Sequence, residues 1–288
     1  MKKKELNTKI RQKTVAIVIP IYKRELSADE RLSLRHLDHY LGGYDKYIIA
    51  PKKLNMYLSR NFNNYSVRLL EDKHFRSKYS YSCLLTSKSF YEIFFGYEYI
   101  LIYQLDCLVF SDQLLEWCKK GYDYIGAPWY KKVITAEGWS LKADCVGNGG
   151  FSLRKVKSHL NVLENPLNVI KYRMLVNLQK LGYSLFVILK IIWGLIKCKQ
   201  TIKQIIKSEH IRKSLNIDRY SEDLFWSFQA RKIFPDFNIP QAEIGVSFSF
   251  EVGPRYCFEK NNNRLPFGCH AWAEYDRKFW EPYLLKNF

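Results

Sequence analysis

One carboxylate, Asp106, closes the otherwise apolar run YILIYQLD (99–106), and the chain returns at once to apolar character in Cys107-Leu108-Val109-Phe110. A lone acid in such a place is either a ligand-binding group at a strand tip or a turn or capping residue ahead of Asp112. A second apolar run, VAIVIPIY, leads into Tyr22-Lys23-Arg24 and so sets an aromatic ring beside two cations. Gly147-Asn148-Gly149-Gly150 precedes the strand-like Phe151-Ser152-Leu153-Arg154. Residues of this kind admit close approach of backbone to a ligand, or form a plain turn, and with no helix after them they are not a dinucleotide loop. Ser221-Glu222-Asp223 opens an apolar, helical stretch, where acids suit a helix N-terminus on dipole grounds and a functional role needs partners elsewhere. His270 lies among small and aromatic residues in PFGCHAW, and a single histidine is more often structural than a ligand.

These residues need a scaffold, and the pattern from Thr14 to about Gly126 supplies one. Short apolar runs at 15–22, 47–51, 65–70, 99–106 and 123–128 read as strands, and Leu32–Leu41, Ser82–Gly96 and Leu114–Lys120 have helical apolar spacing. Strands alternating with helices predict an α/β fold with a largely parallel sheet, in which ligands bind beyond the carboxyl ends of the strands. Asp106 and Tyr22-Lys23-Arg24 stand at two such ends.

The chain has 288 residues, 47% of them hydrophobic and 26% charged, which excludes a disordered or fibrous protein. Its 46 Lys and Arg against 28 Asp and Glu give a net charge of +18, which predicts a polyanionic partner. Seven cysteines form no CxxC pair, as suits a reduced, cytosolic chain. VAIVIPI is too short for a signal-peptide core, and no stretch reaches the roughly 20 apolar residues of a membrane span. The charge is concentrated: from Arg154 to Lys213 there are 13 Lys or Arg against two acids, a net +11. Within it, YSLFVILKIIWGLIKCKQTIKQIIK (183–207) carries a helical apolar stripe flanked by lysines. That pattern suits an interfacial helix docking on an anionic membrane surface, or a helical hairpin packed on protein with its lysines in solvent. No nucleic-acid motif accompanies the charge, so no nucleic-acid partner is expected.

The blocks YQLDCLVF, YDYIGAPW, VGNGGFSLR, SEDLFW and PFGCHAW, in this order, resemble the successive signatures of a poorly characterised bacterial glycosyltransferase-like family of the GT-A type. The resemblance covers about 15–157 and 218–282. It implies a GT-A-like, mostly parallel mixed sheet flanked by helices: residues 1–157 as the nucleotide-sugar-binding part, 158–215 as a basic amphipathic helical insertion, and 216–288 as the acceptor and catalytic part. It implies transfer of a hexose from a nucleotide diphosphate sugar to a surface polysaccharide or glycolipid, with inversion. Asp106 and His270 would hold Mn²⁺ or Mg²⁺, although GT-A enzymes usually place two carboxylates where this chain has one, with Gln104 upstream. Tyr22, Lys23, Arg24, Gln104 and Asp106 would bind the donor. Asp223 would be the general base with Glu222 as its partner, the two being exchangeable. Asn148, Gly149 and Gly150 would let backbone amides approach a sugar, and Trp129 would stack on a sugar face or pack as a core indole. Residues 160–212 would dock the protein on the inner face of the cytoplasmic membrane. Two other readings are a GT-A-like scaffold of a polysaccharide assembly complex without catalysis, and a basic nucleic-acid-binding protein.

Overall fold

The computed structural model describes residues 12–135, 138–164 and 221–286, the side chains of 131–144 excepted. Its centre is a six-stranded sheet. Strands β1 (Lys13–Pro20), β2 (Asp45–Pro51), β3 (Ser66–Leu70) and β4 (Tyr97–Tyr103) are parallel in the order β3-β2-β1-β4. Further along the chain come the short strands β5 (Leu108–Val109) and β6 (Tyr124–Ile125), a hairpin of β7 (Pro128–Thr135) and β8 (Gly138–Val146), and β9 (Phe151–Lys155). β9 runs antiparallel to both β4 and β6 and extends the sheet at the β4 side. This is the mixed, mostly parallel α/β sheet flanked by helices that the sequence predicts.

The apolar runs are continuous because both faces of the sheet are covered. Val15, Ile17 and Ile19 of β1 and Tyr99, Leu101 and Tyr103 of β4 share one core with Leu37 of helix α1 (Ala28–Tyr40) and Leu58 of α2 (Asn55–Asn61). Ala16, Val18, Ile100 and Ile102 face the other core. That second core is closed by Tyr79 and Leu84 of α3 (Lys78–Leu84), Phe90 of α4 (Lys88–Glu92) and Val162 of α6 (Val156–Leu163). Helix α5 (Leu114–Lys119) adds Leu114 and Trp117 to the first core.

Several boundaries differ from the sequence expectation. The first strand ends at Pro20 and β4 at Tyr103, so Gln104-Leu105-Asp106 lie in a turn closed by Cys107 N–H to Gln104 O at 3.0 Å. The stretch 82–96 is not one helix: Thr86 and Ser87 turn their hydroxyls back onto Ser82 O and Leu84 O and separate α3 from α4. Helix α1 starts at Ala28, ahead of the apolar spacing, because Ser27 and Glu30 form a capping box. The expected strand at 123–128 is reduced to Tyr124–Ile125 and gives way to the β7–β8 hairpin. Of the expected insertion at 158–215, only α6 through Glu164 falls within the described residues, and the membrane-docking stretch 160–212 lies almost wholly outside them. No described helix is long and apolar enough to cross a membrane. The six described cysteines are free thiols.

Candidate functional site

A second, three-stranded sheet builds the site. Strand β10 (Ser249–Phe250) runs parallel to β11 (Gly268–Cys269), and β11 runs antiparallel to β5. The carboxyl ends of β10 and β11 and the amino end of β5 therefore fall on the same edge. The residues just beyond those ends are Glu251, His270 and, before Cys107, Asp106. Backbone bonds from His270 N–H to Phe250 O (2.9 Å) and from Trp272 N–H to Asp106 O (3.2 Å) tie the three segments together.

His270 is the centre of this cluster. Its Nδ1 lies 2.9 Å from Glu251 Oε1 and its Nε2 3.3 Å from Asp106 Oδ2. The Nε2 contact has poor hydrogen-bond geometry, and this buried nitrogen is without a hydrogen-bond partner among the described residues. Burial works against a charged imidazole, but the flanking Asp106 and Glu251 carboxylates prevail and hold it up to about 10. Burial likewise pushes the Asp106 carboxyl up, and the His270 imidazole more than offsets this, leaving it below the ordinary carboxylate range. Two ligands about 2.1 Å from one octahedral ion sit about 3.0 Å apart, close to the spacing of Nε2 and Oδ2. An imidazole nitrogen that makes no hydrogen bond and faces a half-exposed carboxylate is thus a fitting pair for a divalent cation, which would take the place of the Nε2 proton, the nitrogen favouring Mn²⁺ over Mg²⁺. Cys107 Sγ lies within the same cluster. Its thiol is buried, its pKa is pushed well up by burial, and it faces Gly150 O at 3.3 Å, so it is a poor third ligand.

This pair borders a cavity of about 550 Å³, within the usual range for small-molecule sites. Tyr22, Gln104, Asp106 and His270 line it, so four of the residues singled out in the sequence meet there. Lys23 and Arg24 are not in its lining: Lys23 pairs with Glu30 at 2.8 Å. The cations in the lining are Arg76 and Lys78, at the start of α3, accompanied by Tyr81. Sequence reasoning missed them, and Glu251 with them. HFRSKYSYS shows neither a strand end nor a glycine turn, and Glu251 follows a strand of only two residues.

The glycine loop does not open onto the cavity. It stands behind the ligand pair as a spacer. A Cβ on Gly150 would lie 2.2 Å from His270 Nε2, and one on Gly149 would lie 2.2 Å from Glu222 Oε1. The Gly150 N–H is already donated to Asn148 Oδ1 at 2.9 Å, which removes it as a donor to a sugar. Asn148 is itself buried and linked to Glu251. Trp129 packs across Gly147 and stacks on Phe228 at 5.9 Å, outside the cavity lining.

The acidic pair divides. Glu222 is buried against Arg154, with Arg154 Nη2 donating to Oε1 at 2.9 Å, while Arg154 also donates to Gly149 O, Ser152 Oγ and Tyr91 Oη. Burial raises the Glu222 carboxyl to about 7; Arg154 pulls it down and Asp223 adds to the rise. Asp223 is partly exposed, and its Oδ1 accepts from Leu224 N–H at 2.8 Å and from Ser221 Oγ. Neither acid lines the cavity. Arg154, first in the basic tally of the insertion, is fully buried and belongs to this network, not to a surface.

Residues 64–270 match the family described as "Protein of unknown function (DUF5672)". No curated protein sequence is similar to the chain. Among solved structures, the apo form of the glycosyltransferase GlyE of Streptococcus pneumoniae TIGR4 aligns at 13% identity and a TM-score of 0.40, over 95% of this chain and 61% of that one. The apo form of mouse xyloside xylosyltransferase 1 aligns at 12% and 0.42, over 89% of this chain and 97% of that one. The 4-diphosphocytidyl-2C-methyl-D-erythritolsynthase of Anaerococcus prevotii DSM 20548 aligns at 12% and 0.35, over 54% of this chain and 75% of that one. Similarity this low bears on neither substrate nor mechanism.

Proposed function

The chain belongs to the DUF5672 family, and we propose that it is a metal-dependent glycosyltransferase that moves a hexose from a nucleotide diphosphate sugar to a glycan or glycolipid acceptor. The observation that carries this reading is the Asp106–His270 pair, 3.3 Å apart with no hydrogen bond at Nε2, on the wall of a cavity that also presents Arg76 and Lys78.

Asp106 Oδ2 and His270 Nε2 would hold Mn²⁺ or Mg²⁺, which when bound neutralises the charge that develops on a departing diphosphate. Arg76 and Lys78 add fixed positive charge on the same side, the part first assigned to Lys23 and Arg24. Tyr22, Tyr81 and Gln104 give the cavity aromatic surface and polar groups for a nucleoside and a sugar. In transfer with inversion, the bond between the anomeric carbon and the diphosphate oxygen breaks and its electron pair leaves with the diphosphate. The acceptor oxygen bonds to that carbon, and its proton goes to a carboxylate. Of the acidic pair, Glu222 Oε1 is committed to Arg154 and Asp223 Oδ2 is unengaged among the described residues, so Asp223, outside the cavity lining, is the proposed base for an acceptor bound beside the cavity. The stretch 160–212 is proposed, on its sequence pattern, to dock the enzyme on an anionic membrane surface at the cytoplasmic face, where a lipid-linked acceptor would be met.

Turnover of a nucleotide-sugar panel with Mn²⁺ tests the reading. Wild type releases nucleoside diphosphate from at least one donor, while Asp106→Ala and Asp223→Ala lose that activity. Equal inertness of wild type and both variants on every donor sinks it.

A further inference from the structure

The His270 ring is gripped on the side away from Asp106. Asn148 Nδ2 donates to Glu251 Oε1 at 2.6 Å, and His270 Nδ1 lies 2.9 Å from the same oxygen. The Asn148 amide cannot be turned around, because its Oδ1 accepts the backbone N–H groups of Gly150 (2.9 Å) and Phe151 (3.1 Å). Its Nδ2 is therefore a donor. Asn148 Nδ2 also lies 2.8 Å from His270 Nδ1, and what sets Nδ1 as the protonated nitrogen is Glu251 Oε1, a carboxylate oxygen that only accepts. A carboxylate oxygen in that position keeps a proton on Nδ1, so that Nε2 is the nitrogen left to exchange its proton for a cation. It turns Nε2, the atom without a hydrogen-bond partner, toward Asp106. Gly150 closes the other side, since there is no room for a Cβ between it and the ring.

We propose that Glu251 is a positioning residue for a divalent cation, fixing the tautomer and orientation of His270 so that Nε2 is offered as a ligand, with Asn148 holding Glu251 in place. This rests on the metal reading above and goes beyond it in assigning a carboxylate that touches no cation. A carboxylate on the far nitrogen of a ligating histidine raises its basicity as well as fixing its angle, and its loss typically weakens metal affinity by about 10- to 100-fold. Glu251 is nearly buried, so its charge is little screened by solvent.

The test is Mn²⁺ binding to the purified full chain without substrate, read from the free-Mn²⁺ electron paramagnetic resonance signal. Four proteins are compared: wild type, Glu251→Gln, His270→Ala and the double variant. The expected result is a roughly 10- to 100-fold weaker Mn²⁺ affinity for Glu251→Gln, and a double variant no weaker than His270→Ala alone, because Glu251 acts only through His270. Wild-type affinity in Glu251→Gln overturns this inference and leaves the metal reading standing. A double variant markedly weaker than His270→Ala also overturns it, since Glu251 would then act on its own. No Mn²⁺ binding by wild type overturns the metal reading and this inference with it. Should Glu251→Gln not fold, Glu251→Asp, which keeps the charge and withdraws it by one methylene, is the second variant, and the same outcomes decide.

Discussion

Gly150→Ala is the smallest change that reaches the ligand pair. The added Cβ would lie 2.2 Å from His270 Nε2, 2.3 Å from Cδ2 and 3.0 Å from Gln104 Oε1. Ordinary contact between such atoms begins near ~3.5 Å, so the ring must retreat by about 1.3 Å. It is held by Glu251 and cannot yield cheaply. Backbone strain plays no part, because Gly150 is not among the glycines with positive φ, which among the described residues are Gly121 and Gly253. Overpacking of this kind costs about 1–3 kcal/mol, a fall of several degrees in melting temperature for a chain of this length. Metal sites tolerate displacements of about 0.2 Å, so the larger effect falls on Mn²⁺ affinity, which should drop by more than about tenfold. Gly149→Ala is the control. Its Cβ would meet Glu222 Oε1 at 2.2 Å and Arg154 Nη2 at 3.4 Å. It should therefore lower the melting temperature and spare much of the Mn²⁺ affinity. Thermal melts and Mn²⁺ titrations of the two variants decide the matter, and a Gly150→Ala protein that melts and binds Mn²⁺ like wild type refutes the reasoning.

Other expectations concern the buried polar groups. Glu222 has its folded pKa raised to about 7, so folding takes up a proton; the stability this gives is full below about pH 4.5 and is lost as pH rises through 7. Denaturant melts should show Glu222→Gln removing a pH dependence on the order of 3 kcal/mol across that window. Arg154→Met lets Glu222 take up a proton and leaves Glu222 Oε1, Gly149 O and Ser152 Oγ buried without the Arg154 donors, at a cost of about 1–3 kcal/mol for each group left unsatisfied, readable from denaturant midpoints. His36 is buried, lies 3.0 Å from Val109 O through Nδ1, and accepts Leu285 N–H at Nε2. Burial lowers its pKa, so the unfolded chain takes the proton first and this contribution is lost as pH falls below about 6.5. The difference in melting temperature between wild type and His36→Leu should therefore shrink from pH 7.5 to pH 5.5.

The parallel strands were legible because each is a continuous apolar run with helices on both faces, and Ile17 and Val18 need no other signal. The strand ends were less so. Pairing partners, not composition, stop β4 at Tyr103, and with it move Asp106 from a strand tip into a turn. The β7–β8 hairpin escaped notice because its apolar alternation is broken by Lys131, Lys132 and Lys142. Asp106 and His270 could be put in one site only through a resemblance spanning five separated blocks. Nothing local joins residues 164 positions apart; that is the work of three two-residue strands too short to read. Glu251, Arg76 and Lys78 gave no pattern at all. Arg154 gave a misleading one, since a basic residue beside Lys155 and Lys157 reads as surface charge, whereas Glu222 from a distant segment buries it.

The central claim is that Asp106 and His270 hold a cation through which a nucleoside diphosphate is bound. A thermal-shift titration of nucleoside diphosphates, with and without Mn²⁺, on wild type and Asp106→Ala tests it most directly. At a ligand concentration 100 times Kd, binding should stabilise wild type by about 2.7 kcal/mol. The predicted result is an upward shift with at least one nucleotide that requires Mn²⁺ and disappears in Asp106→Ala. No shift with any nucleotide, or an equal shift in wild type and Asp106→Ala, contradicts it.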